Sequence, residues 1–258
     1  MRILILGTGK MGAWLTEELC WDHDVWVYDT DPKKMKYFMH VYRLLSLEEI
    51  DAVQPELVIN CVSLSNTVAA FDAVLPHVPA DSILSDIASV KTNLFDYYKN
   101  SGHPFVSTHP MFGPTNANFR DLHEENAIII SESCEKGKEF FRALYKSVNL
   151  KLFEYSFEEH DKVVAYSLAT PFASSMVFAA CMKKQEAPGT NFKKHMDIAK
   201  GLLAEDDCLL TEIMFNDYTI RQLELISSKL SYLTHIIRQK DYEEMTKFLN
   251  ALRKNIAD

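Results

Sequence analysis

Three of the eight glycines in the chain fall together in the string Gly7-Thr8-Gly9-Lys10-Met11-Gly12, directly after a short apolar run. Where a strand turns into a helix, each glycine has a separate task. The first permits a tight turn, the second lets the backbone approach a pyrophosphate, and the third allows the helix to pack close on the sheet. The amino end of that helix adds a partial positive charge that draws phosphates. Gly7, Thr8, Gly9, Lys10, Met11 and Gly12 are therefore read as a dinucleotide-binding loop. Asp29 follows at the expected end of the second strand. A carboxylate there accepts hydrogen bonds from the adenosine ribose hydroxyls and repels a 2′-phosphate, so NAD is expected in preference to NADP. Lys33 and Lys34 lie just downstream and would offset part of that repulsion.

Two further segments carry side chains able to act beside a nicotinamide: Asp86-Ile87-Ala88-Ser89-Val90-Lys91 and His109-Pro110-Met111-Phe112-Gly113-Pro114. Each follows an expected buried strand. That places Ser89 and His109 at the carboxyl edge of the sheet, where open α/β sheets bind ligands. A lone histidine before proline is more often structural, but paired with Ser89 it becomes a candidate for acid–base work near neutral pH. Lys91 reads equally as a group attracting a substrate carboxylate and as a solvated lysine at a helix start.

Taken in order, the glycine loop, the Ser89-Val90-Lys91 segment and the His-Pro-Met-Phe-Gly-Pro string resemble the prephenate and arogenate dehydrogenases of tyrosine biosynthesis. Glu159-His160-Asp161 is similar to the point where that family opens its helical domain, so the resemblance covers most of the chain. It implies oxidation of the ring C4 hydroxyl of prephenate by hydride transfer to NAD⁺. The ring carboxylate leaves as CO₂ and the product is 4-hydroxyphenylpyruvate. His109 would take the hydroxyl proton, titrating at about 6.5 if unperturbed, and Ser89 would orient that ring or the nicotinamide carboxamide. The sequence departs from the family twice. Phe172 stands where many members have a second histidine in the substrate pocket, and the family's arginine on a long helix has no clean counterpart. Arg221 and Arg120 are the nearest candidates, with Lys91, for binding a substrate carboxylate. Arogenate is the alternative substrate. A 3-hydroxyacid dehydrogenase or an imine reductase would explain the glycine loop but not the His109 to Pro114 string. A nucleotide-binding regulator without turnover would explain Phe172 and the missing arginine.

The elements that must position these residues are legible as alternating apolar runs and helix-compatible stretches. Strands are expected at residues 2–6, 25–28, 57–61, 82–86, 105–107, 127–130 and 151–153. This is an α/β pattern, a Rossmann-type, doubly wound and mainly parallel sheet over residues 1–155. From Ser156 the β signal stops, and 156–258 is expected to be an all-helical domain for substrate binding and dimerisation. Residues 163–182 carry no charge. Pro171 and several hydroxyl residues within them argue for a buried helix of a soluble protein rather than a membrane span. A last helix is expected from Asp241, with Glu244 completing a variant capping box.

The 258 residues, 47% apolar and 24% charged, suit a folded protein of two domains. With 27 basic against 36 acidic residues the net charge is -9, which disfavours nucleic acid as a partner. Cys20, Cys61, Cys134, Cys181 and Cys208 form no CxxC or Cys/His cluster, so they are read as buried free thiols, and no metal site is expected. No signal-peptide pattern follows Met1, and a cytoplasmic protein is expected. The apolar faces at 163–182, Leu223 and Leu230 exceed what so small a helical domain can hide. A homodimer built through it is expected.

Overall fold

The structure, a computed structural model, describes residues 1–113 and 121–257. Among the described residues there are eight strands: β1 (Arg2–Leu6), β2 (Asp24–Tyr28), β3 (Tyr42–Arg43), β4 (Leu57–Asn60), β5 (Ile83–Asp86), β6 (Phe105–Pro110), β7 (Asn126–Ile130) and β8 (Lys151–Tyr155). They form one sheet in the order β3-β2-β1-β4-β5-β6-β7-β8. Every pairing is parallel except that of β6 with β7.

Helices cover both faces of the sheet, which is why the central strands β1 and β4 are almost continuously apolar and buried rather than alternating. The helices of this half are α1 (Lys10–Leu19), α2 (Ile50–Val53), α3 (Leu64–Val74), α4 (Leu94–Ser101) and α5 (Glu135–Ser147). Ile3 and Ile5 of β1 join a core layer with Trp14 and Leu15 of α1 and Phe141 of α5. Leu4 and Leu6 join the opposite layer with Phe71 of α3 and Tyr98 of α4. Successive residues of one strand thus feed two cores, as the two-residue period of a strand requires.

All seven expected strands are found, and the two-residue β3 at the sheet edge was not foreseen. β6 differs in a way that matters. It runs on to Pro110, so His109 lies inside a strand rather than after one. Its first half pairs in parallel with β5, and its second half turns to pair antiparallel with β7, His109 opposite Ile128.

The remaining elements are helical: α6 (Phe157–Val164), a π-helical turn (Ala165–Ala169), α7 (Thr170–Cys181), α8 (Thr190–Leu202), α9 (Asp207–Met214), α10 (Thr219–Gln239) and α11 (Tyr242–Asn255). Ser156 starts α6 with a full capping box. Its hydroxyl accepts from the Glu159 N–H at 3.2 Å, while Glu159 Oε2 accepts from the Ser156 N–H at 2.8 Å. This fixes the phase of the helix and buries His160 and Asp161. The π turn ends where Pro171 has no N–H to give to the Ser167 carbonyl. At α11, Asp241 is the expected N-cap and accepts from the Glu244 N–H at 2.9 Å, but the box is not completed: Glu244 Oε1 accepts from the Tyr232 hydroxyl and the Asp241 N–H donates to the Ile236 carbonyl.

Two expectations need correction. The helical run Phe157–Cys181 is long and apolar enough to cross a membrane by length and composition, but only 22% of its most apolar stretch is buried, and Ala173 is the sole buried residue of α7. The helix expected to be buried is therefore largely uncovered in a single chain. All five cysteines are free, but none is fully buried and Cys181 is exposed.

Candidate active site

The glycine loop has the geometry that its residue types imply. Gly7 leaves β1 at φ +85, and a Cβ there would lie 2.9 Å from Val62. Its N–H donates to the Tyr28 carbonyl at 2.9 Å, tying the loop to β2. Gly12 sits so close that a Cβ would come within 2.0 Å of the Gly7 carbonyl oxygen. At Gly9 a Cβ would meet nothing within 4 Å, leaving open backbone where α1 begins. Gly9 caps α1 without a side-chain hydrogen bond, and the first turn carries no acidic residue. The start of α1 thus has no side-chain cap and no acidic side chain competing with an external anion.

Gly7 and Gly9 line a cleft of about 730 Å³ together with Asp29, Thr30, Lys34 and small residues of α3. Asp29 lies just past β2 and is buried. Its Oδ2 accepts from the Thr8 N–H at 2.8 Å and the Thr8 hydroxyl at 3.0 Å, and its Oδ1 accepts from the Asp31 N–H at 2.9 Å. Burial pushes the carboxyl pKa up. The bonds from Thr8 and Asp31, with Lys34 3.9 Å away, outweigh burial and hold it below the usual carboxylate range. Lys34 therefore does sit against Asp29, as its place in the sequence suggested. Lys10 is exposed at the start of α1, and Met11 faces a second cavity.

That second cavity, of about 410 Å³, is lined by Ser89 and His109 and closed from the helical half by Leu168, Phe172, Leu202 and Leu209. Both candidate residues are thus brought to one space, and Phe172 stands in its wall. β6 and α6 also bring two imidazoles together. His109 Nδ1 lies 2.9 Å from His160 Nε2, and His160 Nδ1 lies 2.8 Å from Asp161 Oδ1. Both rings are buried. Burial drives His109 well below the ordinary histidine value of 6.5, and His160 and Lys91 push in the same direction. His160 is lowered too, chiefly by burial, against the raising effect of Asp161. The expected titration of His109 near 6.5 is corrected downward.

Lys91 occupies neither place expected of it. Its side chain is fully buried, its ammonium pairs with Asp86, and it donates to the Thr108 carbonyl at 2.8 Å. Asp86 also accepts from the Tyr98 hydroxyl at 2.7 Å and the Ala88 N–H at 3.0 Å. A buried carboxylate needs such a partner, and Lys91 is committed to it. Arg221 is exposed on α10 and does not line the cavity, and Arg120 lies outside the described residues. Among the described residues lining the cavity, the one formally charged side chain is acidic, Glu205. His160, Asp161 and Glu205 were not singled out from the sequence. His160-Asp161 served only as a landmark, since nothing in the spacing shows that residue 160 meets residue 109.

The parallel sheet, the phosphate-ready glycine loop and a second cavity shared with a helical half define a dinucleotide-binding protein of the dehydrogenase class. A family model described as the prephenate dehydrogenase nucleotide-binding domain matches residues 13–151, more than half of the chain, and the chain belongs to that family. It is 23% identical over 273 residues to a probable arogenate/prephenate dehydrogenase of Methanocaldococcus jannaschii, an alignment covering 98% of this chain and 60% of that relative. The chain thus spans about 60% of the relative's length. A crystal structure of Aquifex aeolicus prephenate dehydrogenase in complex with hydroxyphenyl propionate and NAD⁺ superposes with a TM-score of 0.84 at 19% identity, covering 99% of this chain and 97% of the other. Synechocystis arogenate dehydrogenase gives 0.79 at 16% identity, covering 99% and 98%. At these identities the solved structures establish the fold.

Proposed function

We propose that the chain is an NAD-dependent prephenate dehydrogenase carrying out oxidative decarboxylation of prephenate to 4-hydroxyphenylpyruvate. The observation that carries this reading is His109, buried and held neutral in the wall of a cavity that also meets the glycine loop through Met11. Gly7, Gly9 and the uncapped start of α1 would hold the pyrophosphate, and Asp29 the adenosine ribose. The bound nicotinamide supplies a hydride acceptor. His109 removes the proton of the C4 hydroxyl as hydride leaves C4, and Ser89 orients the ring or the carboxamide. Loss of the ring carboxylate as CO₂ returns its bonding electrons to the ring and places negative charge on the C4 oxygen. His109 gives the proton back to that oxygen, forming the phenol, so the overall reaction releases no proton.

The same reading divides the chain into a dinucleotide-binding domain, residues 1–155, and a helical domain, residues 156–258, through which two copies pair. The side-chain carboxylate of prephenate still requires a basic group. Arg120 or a residue of a second subunit would supply it. Arogenate is the second reading, and Glu205 favours it: a carboxylate in the wall attracts the ammonium group that arogenate carries where prephenate has a keto oxygen.

Incubation with NAD⁺ and either substrate, followed by NADH absorbance, tests both readings. Larger kcat/KM with prephenate supports the first, and larger kcat/KM with arogenate moves the assignment to the second. A protein that binds NAD⁺ but turns over neither is a regulator, not an enzyme.

A further inference from the structure

We propose that His160 and Asp161 hold His109 in its working state: His160 fixes which nitrogen of His109 bears hydrogen, and takes up the charge once His109 is protonated. The proposal rests on the reading of His109 as proton acceptor. His160 and Asp161 are positioning residues in this scheme, because they act through His109.

The argument is a count of hydrogens, starting from Asp161. Its carboxylate is held from outside its own helix: Oδ1 accepts from the Lys91 N–H at 2.8 Å, and Oδ2 from the Thr92 hydroxyl at 3.2 Å. Its main-chain carbonyl accepts from Asn216 Nδ2 at 2.9 Å. A carboxylate in this setting only accepts, so the hydrogen in the 2.8 Å contact belongs to His160 Nδ1. A neutral imidazole has one N–H, which leaves His160 Nε2 as an acceptor. The hydrogen in the 2.9 Å contact between the rings must then sit on His109 Nδ1. By the same count His109 Nε2 carries a bare lone pair, and it is the nitrogen left for the cavity that His109 lines. One carboxylate thereby sets two tautomers and arms the base.

Burial and Lys91 keep the rings neutral at rest, and Asp161 is the charge that favours proton uptake during turnover. Facing the pair are Lys91 and Asp86 from the β5 end and Asp161 from α6, with the Tyr98 hydroxyl of α4 donating to Asp86. Lys91 and Asp86 form a unit that is neutral wherever their shared proton sits. Asp161 is left as the unmatched negative charge beside two neutral rings. When His109 Nε2 gains the substrate proton, its Nδ1–H can break as an Nε2–H forms on His160. The positive charge then lies against Asp161. The reverse movement restores the proton to the phenolate oxygen, so the relay is balanced and needs no other reactant.

The test begins with ¹⁵N-histidine NMR on the unaltered full chain without substrate. Both rings are expected as Nδ1–H tautomers at neutral pH, and an Nε2–H tautomer at His109 overturns the proposal. Asp161→Asn removes the charge that stabilises the protonated pair, so the acid limb of the kcat profile should move to lower pH. Its kcat should fall roughly 10–100-fold, by analogy with the loss of a carboxylate that orients a metal-bound imidazole, with NAD⁺ affinity unchanged. His160→Gln keeps an acceptor for His109 Nδ1–H but cannot hold a proton. It should retain the His109 tautomer yet lose turnover, while His160→Leu loses both. Wild-type kcat and an unmoved acid limb in Asp161→Asn or His160→Leu contradict the relay. If a variant fails to fold, shown by lost NAD⁺ binding, the tautomers of the unaltered protein decide. A wild-type protein inactive on both substrates defeats the proposed function, whereas the tautomers are read without turnover.

Discussion

Removing the base while keeping its shape isolates what His109 contributes. His109→Asn cannot take a proton at neutral pH, so kcat should fall ~10²–10⁴-fold in a steady-state assay, with little change in NAD⁺ affinity. Because the lone pair is needed, kcat should rise with pH as His109 loses its proton. Burial and its cationic and imidazole neighbours place that limb below 6.5 rather than at it. The same lowering has a consequence for stability. His109 and His160 bind protons more readily unfolded than folded, so their contribution is complete above 6.5 and is lost as pH falls through their lowered folded values. Chemical denaturation at descending pH should show this loss, and His109→Asn should reduce it. At the other cavity, Asp29→Ser should erode the preference for NAD⁺ over NADP⁺. Equal kcat/KM for the two cofactors in the unaltered protein would count against the ribose role of Asp29. His109 was legible from its neighbours in sequence. His160 was not, because its meaning arises only when α6 packs against β6, and burial, which sets both pKa directions, is invisible in a string of letters.

Local signals set the elements that carry these side chains. Ser156→Ala removes the hydroxyl that accepts from the Glu159 N–H ahead of His160, leaving the backbone half of the capping box, and should cost about 1 kcal/mol of stability by thermal or denaturant unfolding. It should also lower kcat, since the phase of α6 places His160; unchanged turnover would detach the cap from the site. Gly12→Ala forces a Cβ to within 2.0 Å of the Gly7 carbonyl. The overpacking should cost on the order of 1–3 kcal/mol or more and weaken NAD⁺ binding. The strands and the glycine turn could be read from apolar runs and residue types because both faces of the sheet are covered. The antiparallel switch within β6 could not, since pairing direction depends on a partner strand far along the chain. Nor could the fate of Lys91, whose partner Asp86 is five residues away but meets it only because the chain turns inward after β5.

For the whole molecule, the uncovered apolar surface is the main feature beyond the site. Tyr166, Val177, Ile220, Leu225, Leu230 and Ile237 are all exposed on the helical half. So many exposed apolar side chains on one helical half point to a contact between chains. A homodimer should be seen by light scattering at micromolar concentration, and Leu230→Glu should shift it toward monomer; a monomeric unaltered protein contradicts the expectation. Sequence composition pointed to this surface as apolar and as more than the helical domain could hide alone, although the helix over 163–182 was itself expected to be buried. The central claim joins both halves of the molecule in one reaction, hydride loss coupled to decarboxylation. It is tested most directly by measuring CO₂ and NADH together during turnover of prephenate, or of arogenate should that be the better substrate. The account predicts one CO₂ released for each NADH formed, with both lost together in His109→Asn. NADH formation without CO₂, or no turnover of either compound by a protein that binds NAD⁺, would contradict it.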